Sequence, residues 1–573
     1  MPVYNSEIAE KFRKIADLLE IKGANRFRVR AYRKAARTLT GLSQSVESMV
    51  KEEKDLTELS GIGEELSKKI KEIIKTGNIS KLTEIQGEIP SGLVNLLDIE
   101  GLGPKRVKQL FQELKIDSIK DLKKAIKNKE IRNLEGFGEK TEENIKEALK
   151  DKKEEKRTLL VIAEEVIQPL FNYLKKDPNI NQLEVAGSYR RKKETIGDFD
   201  ILASSEKGKE VIDRFIQFED VEKIVSQGET RSTIKLRTGM QVDLRVVPDK
   251  SYGAALLYFT GSRDHNISLR NLALKKGLKL NEYGIFKKKS KKRIGGQSEK
   301  EIYKILNLSF IPPEIREDRG EVQKAKEDKI PNLIKEKDIK GDLHMHTINS
   351  DGNSTIEEMV KAARSLKREY IAITDHSGLI PVTRGLKKEE VDDYIKKIKK
   401  TDYKFKDIKV LAGCEVDIKK DGSLFFNNEV LKKFDIVLCG VHSHFNLNSK
   451  EQTERIIKAL QNPYTNILVH PTGRRINKRK SYKVEMDRIV EVAKENNCFL
   501  EINSQPSRLD LNDRYAKMTK EMGLKLVINS DSHNPESLKF LKYGTYQARR
   551  GWIEKKNIIN TLSLVELKEI LKK

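Results

Sequence analysis

After residue 339 the chain alternates short apolar stretches with helical ones: "KGDLHMHT", "YIAITDHS", "KVLAGCEVDI", "DIVLCGVHSH", "NILVHPTG", "CFLEINSQ" and "LKLVINSDSH". Strands separated by helices return to the same edge of the sheet, so they pair in parallel. Seven such units between 339 and 573 predict a closed α/β barrel. Seven of the eight histidines lie here, all at strand ends: His344, His346, His376, His442, His444, His470 and His533. In such a barrel these ends gather at one face, where barrel active sites form. His344 and His346 stand at i and i+2, on one face of one strand, and Asp531 and His533 repeat the arrangement on the last strand. Glu415 follows the third strand and Asp351 the first loop. A single histidine at a strand end is ordinarily structural. Converging imidazoles and carboxylates make a site for Zn²⁺, Mn²⁺ or Fe²⁺.

Upstream, "TIGDFDILAS" (195–204) reads as a packed strand that nonetheless places Asp198 and Asp200 on one face. An exposed strand with a polar side is the simpler reading, but Phe199, Ile201 and Leu202 argue for burial. Buried like charges require neutralisation, most simply by divalent metal. "MQVDLRVVP" supplies a third carboxylate, Asp243, on a neighbouring apolar strand. "GSYRR" adds a glycine turn, a hydroxyl and two guanidinium groups, suited to a triphosphate.

Three segments near the N-terminus repeat one design: "LSGIGEELSKKIKEII" (59–74), "IEGLGPKRVKQLFQEL" (99–114) and "LEGFGEKTEENIKEAL" (134–149). Each has G-x-G before an amphipathic helix, the pattern of helix-hairpin-helix elements that hold DNA phosphates without reading sequence. The candidate DNA contacts are Gly61, Gly63, Gly101, Gly103 and Lys105. The third repeat carries acids (Glu139, Glu142, Glu143), so it is either a DNA contact or structural only. The formal net charge is +25 and 35% of residues are charged, which suits a polyanionic partner as well as a lysine-rich surface. Three scattered cysteines form neither a metal pattern nor a disulfide framework. No signal core or membrane-length apolar run is present, so a soluble cytoplasmic protein is expected.

"HMHTINSDG", "ITDHS", "GCEVDI", "GVHSHF", "LVHPTGR" and "INSDSHN" resemble the polymerase-and-histidinol-phosphatase (PHP) family. That resemblance implies a three-metal hydrolytic centre with ligands His344, His346, Asp351, His376, Glu415, His442, His470, Asp531 and His533. It leaves His444 and Arg474 as metal-supporting, phosphate-binding or structural residues. "GSYRRKKETIGDFDIL", "VDLRVVP", "LLYFTGSRDHNISLR" and "KGLKLNEYGI" resemble the palm and nucleotide-binding region of family X DNA polymerases, the DNA polymerase beta group. With "AYRKAA" (31–36), the hairpins and the PHP motifs, the likeness spans nearly the whole chain and is nearest to the bacterial and archaeal type.

The resemblance implies a multidomain α/β protein. Its parts are a lyase-like helical domain (1–86), a helix-hairpin-helix fingers domain (87–150), a nucleotidyltransferase-type α+β palm (151–254), a thumb (255–316), a linker (317–338) and a distorted (β/α)7 PHP barrel (339–573). Asp198, Asp200 and Asp243 would hold two Mg²⁺, and Ser188, Arg191 and Gly197 the triphosphate. Tyr258, Phe259 and Gly261 would form the turn that excludes a ribose 2′-hydroxyl, and Asn266 and Arg270 would touch the nascent pair or template. Two positions depart from the family: Ile196 replaces a second triphosphate serine, beside Thr195, and Arg263 replaces an acid. Lys69 matches a deoxyribose-phosphate lyase lysine and Tyr32 its neighbour, but Glu65 stands for the pocket's second lysine, so Lys69 is either that nucleophile or a surface lysine. Carbonyls near Leu59, Ile62, Ile99 and Leu102 would bind a monovalent cation.

The expected activity is monomeric gap filling on gapped or nicked duplex DNA with deoxynucleoside triphosphates, in base excision repair or end joining. A 3′-5′ exonuclease using up to three Mn²⁺ or Zn²⁺ is expected beside it, with AP endonuclease or 3′-phosphoesterase activity as an extension. The alternatives are a small-molecule phosphoesterase and a non-catalytic DNA-end scaffold. The linker is long enough for many placements of the barrel.

Overall fold

The structure is a computed structural model that describes residues 5–40, 46–59, 61–97, 99, 101–150, 157–379 and 383–571. The chain forms two compact units, Met1–Lys156 and Arg157–Lys573.

The described part of the first unit is helical. Its three hairpins share one turn: Ile62, Leu102 and Phe137 donate their N–H to the carbonyls of Leu59, Ile99 and Leu134 at 3.0, 3.0 and 3.1 Å. Gly61, Gly101 and Gly136 take φ of 78°, 91° and 77° in these turns, a region that other residues enter only with strain. Helices Glu64–Thr76 and Pro104–Leu114 then start from Gly63 and Gly103 in nearly identical extended conformations. The third hairpin departs at this point, since Gly138 has φ 62° and already belongs to helix Gly138–Lys150. Its acids are used internally. Glu142 is buried and accepts from the Arg132 backbone and guanidinium, which also reaches Glu139.

In the second unit, β1 (Thr158–Leu159), β2 (Gln182–Val185), β3 (Thr195–Ile196), β4 (Asp198–Ser204), β5 (Val221–Gln227), β6 (Arg231–Leu236) and β7 (Gln241–Val247) build the palm region. Its five-stranded sheet has the order β2-β4-β7-β6-β5, with β4 and β7 parallel. Alternate residues of β4 and β7, among them Phe199, Ile201, Val242 and Leu244, are buried. Helices Tyr252–Thr260 and Arg263–Lys275 follow, then a three-stranded sheet of β8 (Leu278–Asn281), β9 (Gly284–Lys287) and β10 (Arg293–Gly295).

The barrel strands are β11 (Gly341–Asp342), β12 (Tyr370–Ile373), β13 (Lys409–Asp417), β14 (Ile436–Gly440), β15 (Ile467–Leu468), β16 (Phe499–Asn503) and β17 (Leu526–Asn529). All pair in parallel and in chain order, and a parallel bridge between Met345 and Ser532 joins the first to the last. Strand residues are buried on both faces, as a helix-wrapped parallel sheet demands. Tyr370, Leu411, Ile436, Ile467, Phe499 and Val527 form a core shared by the strands and closed by Leu567 and Leu571 of the last helix. Ile371, Ile373, Val410 and Val437 pack instead against the surrounding helices.

The segment 317–338 is no free tether. It contains helix Glu321–Lys326, and Glu321 is fully buried against His265 at 2.7 Å. Arg319 pairs with Asp513 of the barrel at 2.9 Å. Burying a carboxylate needs such partners, and they fix the segment's path. No helix among the described residues is long and apolar enough to cross a membrane.

Candidate active sites

The parallel register of β4 and β7 sets Asp200 directly opposite Asp243, with Asp198 two residues away on the same face. Thr233 donates its hydroxyl, and Gln241 its amide at 2.8 Å, to Asp243, while Arg231 lies 3.9 Å off. Burial, then the charges of Asp198 and Asp243, push Asp200 up to about 7, against the pull of Arg191. Three carboxylates with so little cationic compensation suit divalent metal on oxygen ligands. Gly187 is required beneath them: its φ is 60° and a Cβ there would meet Asp200 Oδ2 at 2.3 Å.

The expected nucleotide residues lie on the segment from Gly187 to Gly197, next to these carboxylates, and on the two helices that follow the palm strands. Ser188 lies in the short helix Gly187–Arg190, half-buried. Arg191 is already engaged: Nη1 donates to the Thr260 carbonyl at 2.5 Å and Nε to Glu317 at 3.1 Å. A Cβ on Gly197 would meet Arg157 Nη1 at 2.8 Å, so glycine admits a further guanidinium. Arg157 also donates to the Thr195 hydroxyl and carbonyl at 3.1 and 2.9 Å, while Ile196 is buried. Tyr258 and Phe259 meet edge-on at 5.1 Å, ahead of Gly261 at φ 66°. Asn266 donates to the Tyr258 carbonyl at 2.7 Å, and Asn266, Arg270, Tyr258, Leu280 and Asn281 line one small pocket. Arg263 is exposed at the start of its helix.

The nine expected barrel ligands converge at the C-terminal ends of the strands. Three groups bring their donor atoms within 4.8 Å: His346, Asp351, His376 and His533; His344, His346 and Asp531; His376, Glu415 and His442. His470 joins through Nε2, 2.8 Å from Glu415 Oε1. Glu415 is central, with His442 at 2.9 Å on Oε1 and His376, His344 and His346 at 3.1, 3.3 and 3.4 Å on Oε2. Burial opposes charge on all of them. The carboxylates nevertheless raise His442 to about 10 and His533 to about 9, and the imidazoles hold Glu415 well below the usual carboxylate range. His346 Nδ1, Asp351 Oδ1 and His376 Nδ1 are buried without a hydrogen-bond partner. His344 and His346 point Nε2 at Nε2, 3.1 Å apart. Buried lone pairs left unpaired and facing one another fit cations between them. His444 is exposed and stands outside the three groups.

Two carboxylates that sequence reasoning missed orient these imidazoles. Glu501 accepts from His344 Nδ1 at 2.8 Å, and Asp417 from His442 Nδ1 at 2.8 Å, which turns each Nε2 toward the cluster. Asp417 had a signal, lying at i+2 from Glu415 in "CEVDI". Arg474 binds neither cluster; it pairs with Glu194 of the palm at 2.7 Å.

In the first unit, Gly63 and Gly103 are open above their backbones, and Lys105 is exposed beside Gly103. The Leu59 and Ile99 carbonyls each accept one turn hydrogen bond, leaving a second lone pair. Lys69 is not a free surface lysine: its side chain is 14% exposed, its ammonium pairs with Glu65 and lies 5.9 Å from the centre of the Tyr32 ring.

Two outcomes follow from these charges. In metal-free protein, Asp200→Asn raises the melting temperature above pH 7, because an ionised carboxyl no longer sits among like charges. The gain is on the order of 4 kcal/mol at most, shrinks as pH falls from about 7 toward 4, and vanishes below about 4, where the wild-type group is protonated in both states. Melting curves across this range check it; a gain independent of pH would contradict the raised Asp200. Glu501→Gln weakens barrel metal affinity by about 10- to 100-fold by releasing His344, which Mn²⁺ titration calorimetry measures.

Over its whole length the chain is 37% identical to DNA polymerase/3′-5′ exonuclease PolX of Bacillus subtilis (strain 168), covering 100% of both chains. Over 203 residues, 34% of this chain and 78% of the relative, it is 32% identical to a probable phosphatase of Thermoanaerobacter sp. (strain X514). It is 26% identical to DNA polymerase lambda of Rattus norvegicus over 344 residues, 55% of this chain and 56% of that one. Family models match as a helix-hairpin-helix domain (3–79), a SAM-like helix-hairpin-helix tandem (93–151), a DNA polymerase beta thumb (255–317) and a PHP domain (342–505). The full-length identity and this order of domains mean that the chain belongs to the PolX family of DNA polymerase/3′-5′ exonucleases.

Proposed function

We propose that this protein is a DNA-directed DNA polymerase that fills short gaps, with a second, metal-dependent centre that removes nucleotides from 3′ ends. The observation that carries the reading is the pair of complete ligand clusters in one compact unit: carboxylates alone at Asp198, Asp200 and Asp243, imidazoles and carboxylates around Glu415. Hard Mg²⁺ suits the first, and Mn²⁺ or Zn²⁺ the second. When bound, the metals would neutralise phosphate charge, lower the pKa of the attacking hydroxyl or water and polarise the phosphoryl oxygens as Lewis acids.

The chain's own residues supply position. Thr233 and Gln241 hold the Asp243 carboxylate in place near the primer terminus. Arg191, Ser188 and Arg157, beside Gly197, meet the triphosphate. The Tyr258–Gly261 turn, tied down by Asn266 and by Arg191, meets the sugar. At the barrel, Glu501 and Asp417 keep the histidine protons on Nδ1, leaving Nε2 free for metal. Open backbone at Gly63 and Gly103, in the turns made by Gly61 and Gly101, grips gapped or nicked duplex through phosphates together with Lys105, supported by the net charge of +25. Lys69 stays outside this reading because its amine is paired with Glu65.

On a 5′-phosphorylated gapped duplex, Asp200→Ala lowers nucleotide incorporation by about 100-fold or more and leaves 3′ digestion intact. His344→Ala does the reverse. Incorporation and digestion are read from one gel, first with Mg²⁺ and then with Mn²⁺. If either single change removed both activities from a folded protein, the two-centre reading would be wrong.

A further inference from the structure

The palm segment from Gly187 to Asp198 carries Ser188, Arg191, Gly197 and Asp198, and the barrel holds it at several points. Arg550, at the end of helix Leu541–Arg550, donates Nη1 to the Arg191 carbonyl at 2.8 Å and to Glu317 Oε1 at 3.1 Å. That same oxygen accepts from Arg191 Nε at 3.1 Å. Arg550 Nη2 donates to Asp513 at 2.9 Å, which also takes Arg319 at 2.9 Å. Three residues beyond Arg191, Glu194 accepts from both Nη atoms of Arg474, at 2.7 and 3.2 Å. Between them, the Lys192 ammonium lies 4.7 Å from the Tyr189 ring and 4.9 Å from that of Tyr546 in the barrel.

The Arg550, Glu317 and Arg191 side chains are only 5%, 12% and 11% exposed, so these ion pairs are poorly screened and strongly directional. With Nε on Glu317 and Nη1 on Thr260, Arg191 has only Nη2 without a hydrogen-bond partner among the described residues. Its position is therefore dictated by Glu317, and Glu317 in turn is held by Arg550. Without Arg550, the Glu317 carboxylate would lose a partner and the Arg191 carbonyl its donor.

We infer that Arg550, a residue of the barrel, is a positioning residue of the polymerase centre: by sharing Glu317 with Arg191 and bonding the Arg191 carbonyl, it sets the guanidinium that meets the incoming triphosphate. The barrel thereby acts in synthesis as well as in degradation. The inference rests on the reading of Arg191 as a triphosphate contact.

The experiment is single-turnover filling of a one-nucleotide gap by the full chain, with the nucleotide concentration varied, for Arg550→Met, Arg191→Met and the double variant. Arg550→Met raises the half-saturating nucleotide concentration about tenfold, the worth of one charge-assisted hydrogen bond, and changes the maximal rate far less. Its 3′ digestion stays at the wild-type rate, and it adds nothing in the Arg191→Met background. If Arg191→Met weakens nucleotide binding and Arg550→Met does not, the positioning role is overturned. If Arg191→Met itself leaves nucleotide binding unchanged, the triphosphate reading fails instead, and the positioning role with it. Should Arg550→Met lose both activities through misfolding, the isosteric Asp513→Asn decides: it frees Arg550 from its barrel anchor, and wild-type half-saturation there overturns the inference.

Discussion

Carboxylates at the ends of adjacent strands repel one another, and burial deepens the repulsion because water no longer screens it. Asp200 is taken out of water by burial, faces Asp243 across a parallel pair of strands and shares a face with Asp198, so its proton is held up to about 7. Glu415 stands in the same predicament in the barrel, but there imidazoles surround it on both oxygens. The two centres thus answer one electrostatic problem with different chemistry. An oxygen-only cluster leaves the whole compensation to hard cations that prefer oxygen, whereas a mixed cluster favours ions that accept nitrogen. In the reading proposed above, the difference between a centre for bond making and one for bond breaking begins with which residues flank the acids.

The geometry of both clusters depends on strands being held rigidly, and the molecule provides this by joining palm and barrel. Leu509, Phe540 and Tyr543 of the barrel side belong to the same buried cluster as Phe199, Ile201 and Val242 of the palm. Glu164, Glu194 and Glu314 then pair with Lys542, Arg474 and Arg549 around it. An apolar centre with a charged surround is the usual anatomy of a lasting interface. Its bidentate pair, Arg474–Glu194, uses arginine, whose planar fork fixes orientation as a lysine ammonium cannot.

What could be read from the chain follows from how local each signal is. The convergence of the barrel histidines and carboxylates was legible because they lie at or just beyond the ends of apolar strands, and such ends meet at one face. Asp198 and Asp200 were legible because two acids interrupt an apolar strand. The hairpins could be recognised because glycine at a positive φ has few substitutes, and only the third repeat's cap escaped that reading. Partners remote in sequence were not legible. Glu501 looks like one acid in an apolar strand until His344, far upstream, is placed against it. Arg474 reads equally as a metal-supporting, phosphate-binding or structural residue until Glu194 is placed against it. The charged stretch 317–338 reads as a linker because its compensating charges, His265, Arg191 and Asp513 among them, lie on other elements.

The placement of charge separates two kinds of grip. The net charge of +25 is spread over exposed lysines and arginines, whose attraction to phosphate falls steeply as salt rises. The pairs Arg550–Glu317 and Arg191–Glu317 are shielded from solvent and lie far inside a Debye length, so the same salt barely touches them. Ionic strength that releases DNA would therefore leave the segment from Gly187 to Asp198, which the proposed function assigns to the nucleotide, in place between substrates. A surface tuned for reversible, sequence-independent binding can then coexist with a centre whose donors stay organised before the triphosphate arrives. Preorganisation of this kind is where enzymes of phosphoryl transfer gain most of their rate, since the protein's part is position and charge rather than covalent chemistry.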